Sequence, residues 1–203
     1  KVSANHVIAV NSATSALHIA CKALGLGKGD SLWTSPNTFV ASANCGIYCD
    51  AKVNFVDIGT ETGLMCTKEL EVKLREAKIK SCLPKIVMPV HLSGASCNMR
   101  ERGRLSEIYN FKIVEDASHA IGGKYMDKPV GNCEYSDITV FSLHPVKIIT
   151  SGEGGIATTN SNELAIKMKD LRSHGITKDR ERFVDEDLGP WKYEQQNIGY
   201  NYR

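Results

Sequence analysis

Phe141-Ser142-Leu143-His144-Pro145-Val146-Lys147-Ile148-Ile149-Thr150-Ser151-Gly152-Glu153-Gly154-Gly155 joins the end of an apolar strand, residues 138–141, to a polar, glycine-rich loop carrying one lysine. Val146 precedes Lys147 and Ile148-Ile149 follow it. A lysine in apolar surroundings loses hydration, which disfavours its charged form and leaves a nucleophilic amine nearer to neutral pH. A lysine that forms a Schiff base with a carbonyl compound needs this property. Taken singly, a loop lysine is more often a solvated surface group, since strongly perturbed lysines gather at functional sites. The rest of the chain decides between the two.

The 203 residues carry a formal net charge of +2, and 24% of them are charged, with both signs interspersed. That length supports one large domain with an apolar core. No basic block or basic–aromatic alternation is present, so nucleic acid is not an expected partner. No apolar run reaches membrane-spanning length, so no membrane is expected either. Cys45 and Cys49 stand four apart, and Cys21, Cys66, Cys82, Cys97 and Cys133 are scattered. Without a C-x-x-C knuckle or a paired histidine they do not read as a metal site. Their odd count favours reduced thiols packed as small apolar groups, hence a cytoplasmic protein. A start at Lys1 without methionine, and a stop at Arg203 after an apolar–aromatic segment, read as cut ends.

Outward from the lysine loop, strands and helices alternate. Residues 7–10 (VIAV) form a short apolar strand, and Asn11-Ser12-Ala13-Thr14-Ser15 leads into a helix with Ala16, Leu17, Ala20 and Leu24 on one face. Gly25 and Gly27 end that helix. A strand, then small hydroxyl residues, then a helix N-terminus holds phosphate well, because free N–H groups and the helix dipole point at the anion. N-capping by Ser12 or Thr14 accounts for the same residues without a ligand. Residues 31–35 read as a strand, and Pro36-Asn37-Thr38-Phe39 opens a second helix that reaches about Tyr48. After a strand at 52–56 comes a charged amphipathic helix, 67–80, capped by Thr67. A strand of the buried kind, 85–90, ends at His91-Leu92-Ser93-Gly94. A helix at 99–109 and a strand at 112–114 lead to Glu115-Asp116-Ala117-Ser118-His119-Ala120. Beyond the lysine loop come a strand at 155–159, a helix at 162–173 and a polar excursion over 177–196.

This alternation predicts an α/β fold: a mostly parallel sheet with helices on both faces, in three α/β/α layers. Ligands of such sheets gather at the carboxyl ends of strands. Residues 12–15, His91, Asp116 with His119, and Ser142 with Lys147 all fall there. A phosphate cup, an amine and a carboxylate suit pyridoxal phosphate. Asp116, just after a buried strand, is placed to keep the ring nitrogen protonated, although an aspartate there also serves as a turn cap.

Asn11-Ser12-Ala13-Thr14-Ser15-Ala16-Leu17-His18, Pro36-Asn37-Thr38-Phe39, Pro89-Val90-His91, Glu115-Asp116-Ala117-Ser118-His119, Ser142-Leu143-His144-Pro145-Val146-Lys147, Glu153-Gly154-Gly155 and Gly199-Tyr200-Asn201-Tyr202-Arg203 occur in a telling order. With them the chain resembles the DegT-type sugar nucleotide aminotransferases over practically its whole length. The resemblance implies a fold type I, pyridoxal phosphate-dependent enzyme. Residues 1–203 then form its cofactor-binding large domain, truncated at the N-terminus and with the small C-terminal domain missing. The wording of residues 33–44 and 144–155 most resembles the members that serve pseudaminic acid biosynthesis. Those aminate C4 of a UDP-linked 4-keto-6-deoxy-N-acetylhexosamine, with L-glutamate as donor. An aminotransferase for another nucleotide keto sugar is the nearest alternative, and a catalytically incomplete cofactor-binding remnant is a second. The family's dehydratases carry histidine where this chain has Lys147.

Residue by residue, the resemblance makes Lys147 the Schiff-base lysine and proton shuttle. It pairs Asp116 with the pyridinium nitrogen and sets His119 near the ring hydroxyl. Phe39 stacks on the pyridine face, while Ala13, Thr14 and Ser142 hold the phosphate. Asn201 reaches the phosphate of the neighbouring subunit, which implies a homodimer with shared sites, and Arg203 falls near the substrate. His91 and His144 fit the motifs equally well as site or structural residues.

Overall fold

Adjacent residues of the central strands serve opposite cores, as the two-residue period of a strand requires when both faces are covered. The computed structural model describes residues 2–185 and 189–203. In chain order it contains β1 (His6–Val10), α1 (Ala13–Ala23), β2 (Ser31–Thr34), α2 (Val40–Ile47), β3 (Lys52–Phe55), α3 (Thr67–Ile79) and β4 (Ile86–Met88). There follow α4 (Met99–Tyr109), β5 (Lys112–Asp116), β6 (Lys124–Tyr125), β7 (Lys128–Pro129), β8 (Ile138–Ser142), β9 (Gly155–Thr159), α5 (Asn162–Arg172), β10 (Ile176–Thr177) and β11 (Glu194–Gln195).

Among the described residues, seven strands form one sheet in the order β1-β9-β8-β5-β4-β2-β3. β3, β2, β4, β5 and β8 run parallel, whereas β9 is antiparallel to both β8 and β1. Ile86, Met88 and Val114 pack with α1, α2 and α5 on one face. Val87 and Ile113 pack with α3 and α4 on the other, against Leu70, Leu74, Met99 and Leu105. The expected three-layer fold is therefore the observed one.

Local readings shift where tertiary contacts overrule them. α1 is buried almost all round, from Ser15 to Ala23 apart from Lys22, rather than along one stripe. It lies between α2, α5 and the sheet, so little of its surface meets water. The second helix begins at Val40, not at Pro36, because residues 36–38 form a turn in which Thr38 N–H donates to Ser35 C=O. Thr67 does not cap α3: the cap residue is Cys66, without a side-chain bond, and the Thr67 hydroxyl accepts from Arg102 Nη1 at 3.4 Å. β5 extends through Asp116, which is its last residue and not part of a following turn.

Within the expected excursion, residues 186–188 lie outside the described residues. The remainder is tied down: β10 pairs with β11, and the Arg182 guanidinium grips the buried Asp170 carboxylate of α5 through both its terminal nitrogens. The segment after it packs on its own chain. Tyr200 and Tyr202 stack at 4.9 Å, and the Tyr202 hydroxyl meets His18 Nδ1 of α1 at 3.0 Å.

Gly155 fixes how the sheet's carboxyl ends meet. It pairs with Val10 of β1 on one side and with Ser142 of β8 on the other. A Cβ at this glycine would lie 2.4 Å from Ser12 C and O and 2.5 Å from Ala13 N, all of them main-chain atoms. Gly155→Ala should therefore force the start of α1 off β9 and cost about 1–3 kcal/mol, as overpacking does. Thermal unfolding should show a Tm several degrees lower, and an unchanged Tm would mean that the joint yields freely.

Candidate active site

The carboxyl ends of β1, β4, β5 and β8 open into a cavity of about 360 Å³. Ser12, Ala13 and Thr14 line one wall, Asp116 and His119 another, and Ser142 and Lys147 a third, with Phe39 also among the lining residues. Of the site residues expected from sequence, Ala13, Thr14, Phe39, Asp116, His119, Ser142 and Lys147 thus share one cavity. His144 lines it too, exposed and 3.7 Å from Glu153.

At the N-terminus of α1 the capping and anion-binding readings coexist. The Ser12 hydroxyl accepts Ser15 N–H at 3.1 Å, and the Ser15 hydroxyl donates to Asn11 Oδ1 at 2.6 Å. The first main-chain bond of the helix runs from Ala16 N–H to Ser12 C=O. The N–H groups of Ala13 and Thr14 precede it, where first-turn donors have no intrahelical acceptor.

Lys147 departs from expectation in its surroundings. Val146 and Ile148 are 78% and 68% exposed, and Ile149 is exposed as well. The apolar flanks therefore do not wrap the amine, because the loop turns them to solvent while Lys147 itself is half-buried against the cavity. Phe39 is 72% exposed at the cavity, so core packing is not its role.

Asp116 is 4% exposed. Ser42 Oγ–H donates to its Oδ2 at 2.5 Å, and Ser118 donates to Oδ1 through N–H at 3.1 Å and Oγ–H at 2.6 Å. It does bond the turn after β5, as a capping aspartate would, while its carboxylate also lines the cavity. His119 accepts Ser93 N–H on Nδ1 at 3.2 Å, which leaves its proton on Nε2. Burial, and then the nearby positive charge of Lys147, lowers its pKa, with Asp116 opposing, so the ring is neutral at pH 7.

His91 is structural. It is fully buried, accepts Cys97 N–H on Nδ1 at 3.0 Å and meets Glu115 Oε2 through Nε2 at 2.8 Å. Ser42, Thr38 and Ser118 were not anticipated. Ser118 carried a signal, since a serine two residues past an aspartate commonly bonds it. Ser42, 74 positions from Asp116, carried none.

Asn201 and Arg203 are not brought to this cavity. Asn201 is exposed, bridges to Ser173 and accepts Asn11 Nδ2 on its carbonyl at 3.4 Å. Arg203 lines a separate groove with His174, Lys178 and Tyr193. Among the described residues, no group of three or more His, Cys, Asp or Glu is placed to hold a metal ion, and no helix is long and apolar enough to cross a membrane. All seven cysteines are free thiols.

An amine, a buried carboxylate and an open helix N-terminus converge at the strand ends of this sheet. The chain belongs to the DegT/DnrJ/EryC1/StrS aminotransferase family, which it matches over residues 1–203. It is 41% identical over 202 residues to the UDP-4-amino-4,6-dideoxy-N-acetyl-beta-L-altrosamine transaminase of Campylobacter jejuni, covering 100% of this chain and 50% of that protein. Its fold matches that of Helicobacter pylori PseC, an aminotransferase involved in the biosynthesis of pseudoaminic acid. That match has a TM-score of 0.85 and 31% identity, over 100% of this chain and 50% of PseC. NtdA of Bacillus subtilis, solved with bound cofactor PMP, matches with a TM-score of 0.79 and 28% identity over 98% of this chain and 41% of that one. The chain thus spans about half the length of the relatives it matches.

The buried pair behind the site titrates in a defined direction. Burial works against the Glu115 charge, but hydrogen bonds from His91, Ser136 and Thr139 outweigh it and hold the carboxyl below its ordinary value of 4.5. A carboxyl depressed by folding contributes stability above its unfolded pKa, and loses that contribution as pH falls through its folded value. The urea midpoint should therefore fall as pH drops below about 4.5, and Glu115→Gln should be weaker at neutral pH but flatter across the acid range. Equal acid slopes in both proteins would remove Glu115 from this account.

Proposed function

We propose that these residues are the cofactor-binding large domain of a pyridoxal phosphate-dependent sugar aminotransferase. In this reading the enzyme moves the amino group of L-glutamate onto C4 of a UDP-linked 4-keto-6-deoxy-N-acetylhexosamine, on the way to pseudaminic acid. The observation that carries it is the single cavity shared by Lys147, Asp116, His119 and the open end of α1. That donor set fits the cofactor: main-chain N–H groups for a phosphate dianion, a carboxylate for a protonated ring nitrogen, and an amine for a carbonyl. The named sugar is supported by the likeness to the Campylobacter transaminase and to PseC.

When bound, pyridoxal phosphate supplies an electron-withdrawing ring that makes the α-hydrogen of an attached amino acid acidic. The protein's own groups do the rest. Lys147 Nζ takes the proton from the α-carbon of glutamate in one half-reaction and delivers one to C4 of the sugar in the other. Asp116 would accept the ring N–H, and the buried seat of its carboxylate would keep bulk water from competing for that bond. His119, neutral and protonated on Nε2, offers a donor to an oxygen anion beside it. Phe39 and Ser142 both line the cavity; Phe39 would stack on the cofactor ring, and Ser142 would offer its hydroxyl to the phosphate.

A homodimer with shared sites belongs to the same reading. Asn201 stands outside its own chain's cavity, held there by Asn11, and exposed Phe39 and Val146 at the cavity need cover. Lys147→Ala subunits mixed with Asn201→Ala subunits should recover activity through one intact site per heterodimer. Heterodimers as inactive as their parents would show that each site is built from one chain.

Borohydride reduction of cofactor-loaded protein should fix the adduct on Lys147, as a peptide map will read, and Lys147→Ala should abolish transamination while cofactor is still held non-covalently. An adduct on another lysine sinks the assignment. With glutamate and a panel of nucleotide keto sugars, the UDP-linked 4-keto sugar should be converted fastest. Preference for a different sugar would move the enzyme elsewhere in the family, and conversion of none would leave a cofactor-binding remnant.

A further inference from the structure

Asp116 is supplied from behind by a chain of hydroxyls whose proton order is fixed by chemistry. Ser42 is fully buried in the first turn of α2, and its Oγ–H donates to Asp116 Oδ2 at 2.5 Å. The same oxygen lies 2.8 Å from Thr38 Oγ1. A serine hydroxyl has one proton, and an ionised carboxylate only accepts. The Ser42 proton is therefore spent on Asp116, and the Thr38 contact is closed by the Thr38 proton. The donors run Thr38 to Ser42 to Asp116, each bond polarising the next. Thr38 lines the cavity and Ser42 does not, so the chain begins at the cavity wall and reaches the carboxylate through the interior.

We propose that Ser42, backed by Thr38, is a positioning residue for the amino transfer: it holds the Asp116 carboxylate in the orientation that faces the cavity. The proposal rests on the pyridoxal phosphate reading above. A carboxylate facing a protonated ring nitrogen must accept that N–H without taking its proton, because a neutral ring withdraws fewer electrons. Ser42 on Oδ2 and Ser118 on Oδ1 each donate to one oxygen and so fix the plane of the carboxylate. Without Ser42 the carboxylate would lose one donor and be free to turn, and its hold on a ring N–H would weaken. A less positive ring would draw fewer electrons from the Lys147 amine, whose protonated, cofactor-linked form would persist to higher pH.

The test is a pH titration of the visible absorbance of cofactor-loaded wild type, Ser42→Ala, Thr38→Val and Thr38→Ser. One hydrogen bond to a charged group corresponds to about one pH unit, and the ring passes on only part of it, so the Ser42→Ala midpoint should move up by at most about that much. Thr38→Val should shift less in the same direction, and Thr38→Ser should titrate like wild type. The kcat of Ser42→Ala should fall about tenfold with little change in KM for glutamate, the pattern of a lost transition-state interaction. Unchanged midpoints in Ser42→Ala and Thr38→Val, whatever their Tm, overturn the proposal. If Ser42→Ala fails to fold, Thr38→Val at the half-buried cavity wall decides alone. A wild type with no visible cofactor band overturns the cofactor reading and this proposal with it, an outcome distinct from bands that do not shift.

Discussion

Where β9 passes the start of α1, main chain meets main chain with no side chain between, and the cavity depends on that contact. Gly155 is flanked by Val10 and Ser142 in the sheet. The residues after Val10 form the anion-ready helix start, those after Ser142 form the lysine loop, and Gly155 is the point where that loop returns. One glycine therefore sets the distance between the first βα turn and the lysine loop, which are more than a hundred residues apart in sequence. Close approach of two backbones is the reason glycine is used at such places.

A second constraint lies one layer deeper. Glu115 and Asp116 are consecutive and both buried, an arrangement that would be costly if they shared an environment. Strand geometry sends them to opposite faces. Glu115 goes to a closed nest of His91, Ser136 and Thr139. Asp116 goes to the cavity, with serines behind it. The first carboxylate thereby anchors the end of β4 through His91, and the second remains available to a ligand.

Legibility in the sequence followed the range of the interactions involved. The alternation of strands and helices, the lysine loop, the Ser12 cap and the Asp116–His119 pair are local patterns, and they appear where reading placed them. Thr67 does not cap α3 because the helix already begins at that residue, one position past the cap, and its hydroxyl accepts from Arg102 instead. The environment of Lys147 is not legible in its apolar neighbours, because sequence says nothing about which way a loop turns them. The Ser42–Asp116 bond spans two βα units and leaves no trace in either stretch alone. The reversed direction of β9 was open to inference, since the twelve residues of 143–154 contain no crossover helix and an antiparallel return needs none.

The hydroxyls of Ser12 and Ser15 are engaged with each other and with Asn11. Apart from the Thr14 hydroxyl, any anion seated at the head of α1 is thus met by peptide N–H groups, which every residue but proline supplies. Short of proline, drift in the side chains of this turn cannot delete those main-chain donors. It can only bend their presentation, by enlarging a residue where the turn touches β9 or by inserting one that shifts the helix start. The binding function of this turn is therefore written in spacing and size more than in residue identity, and it should outlast wide divergence in the rest of the cavity's lining.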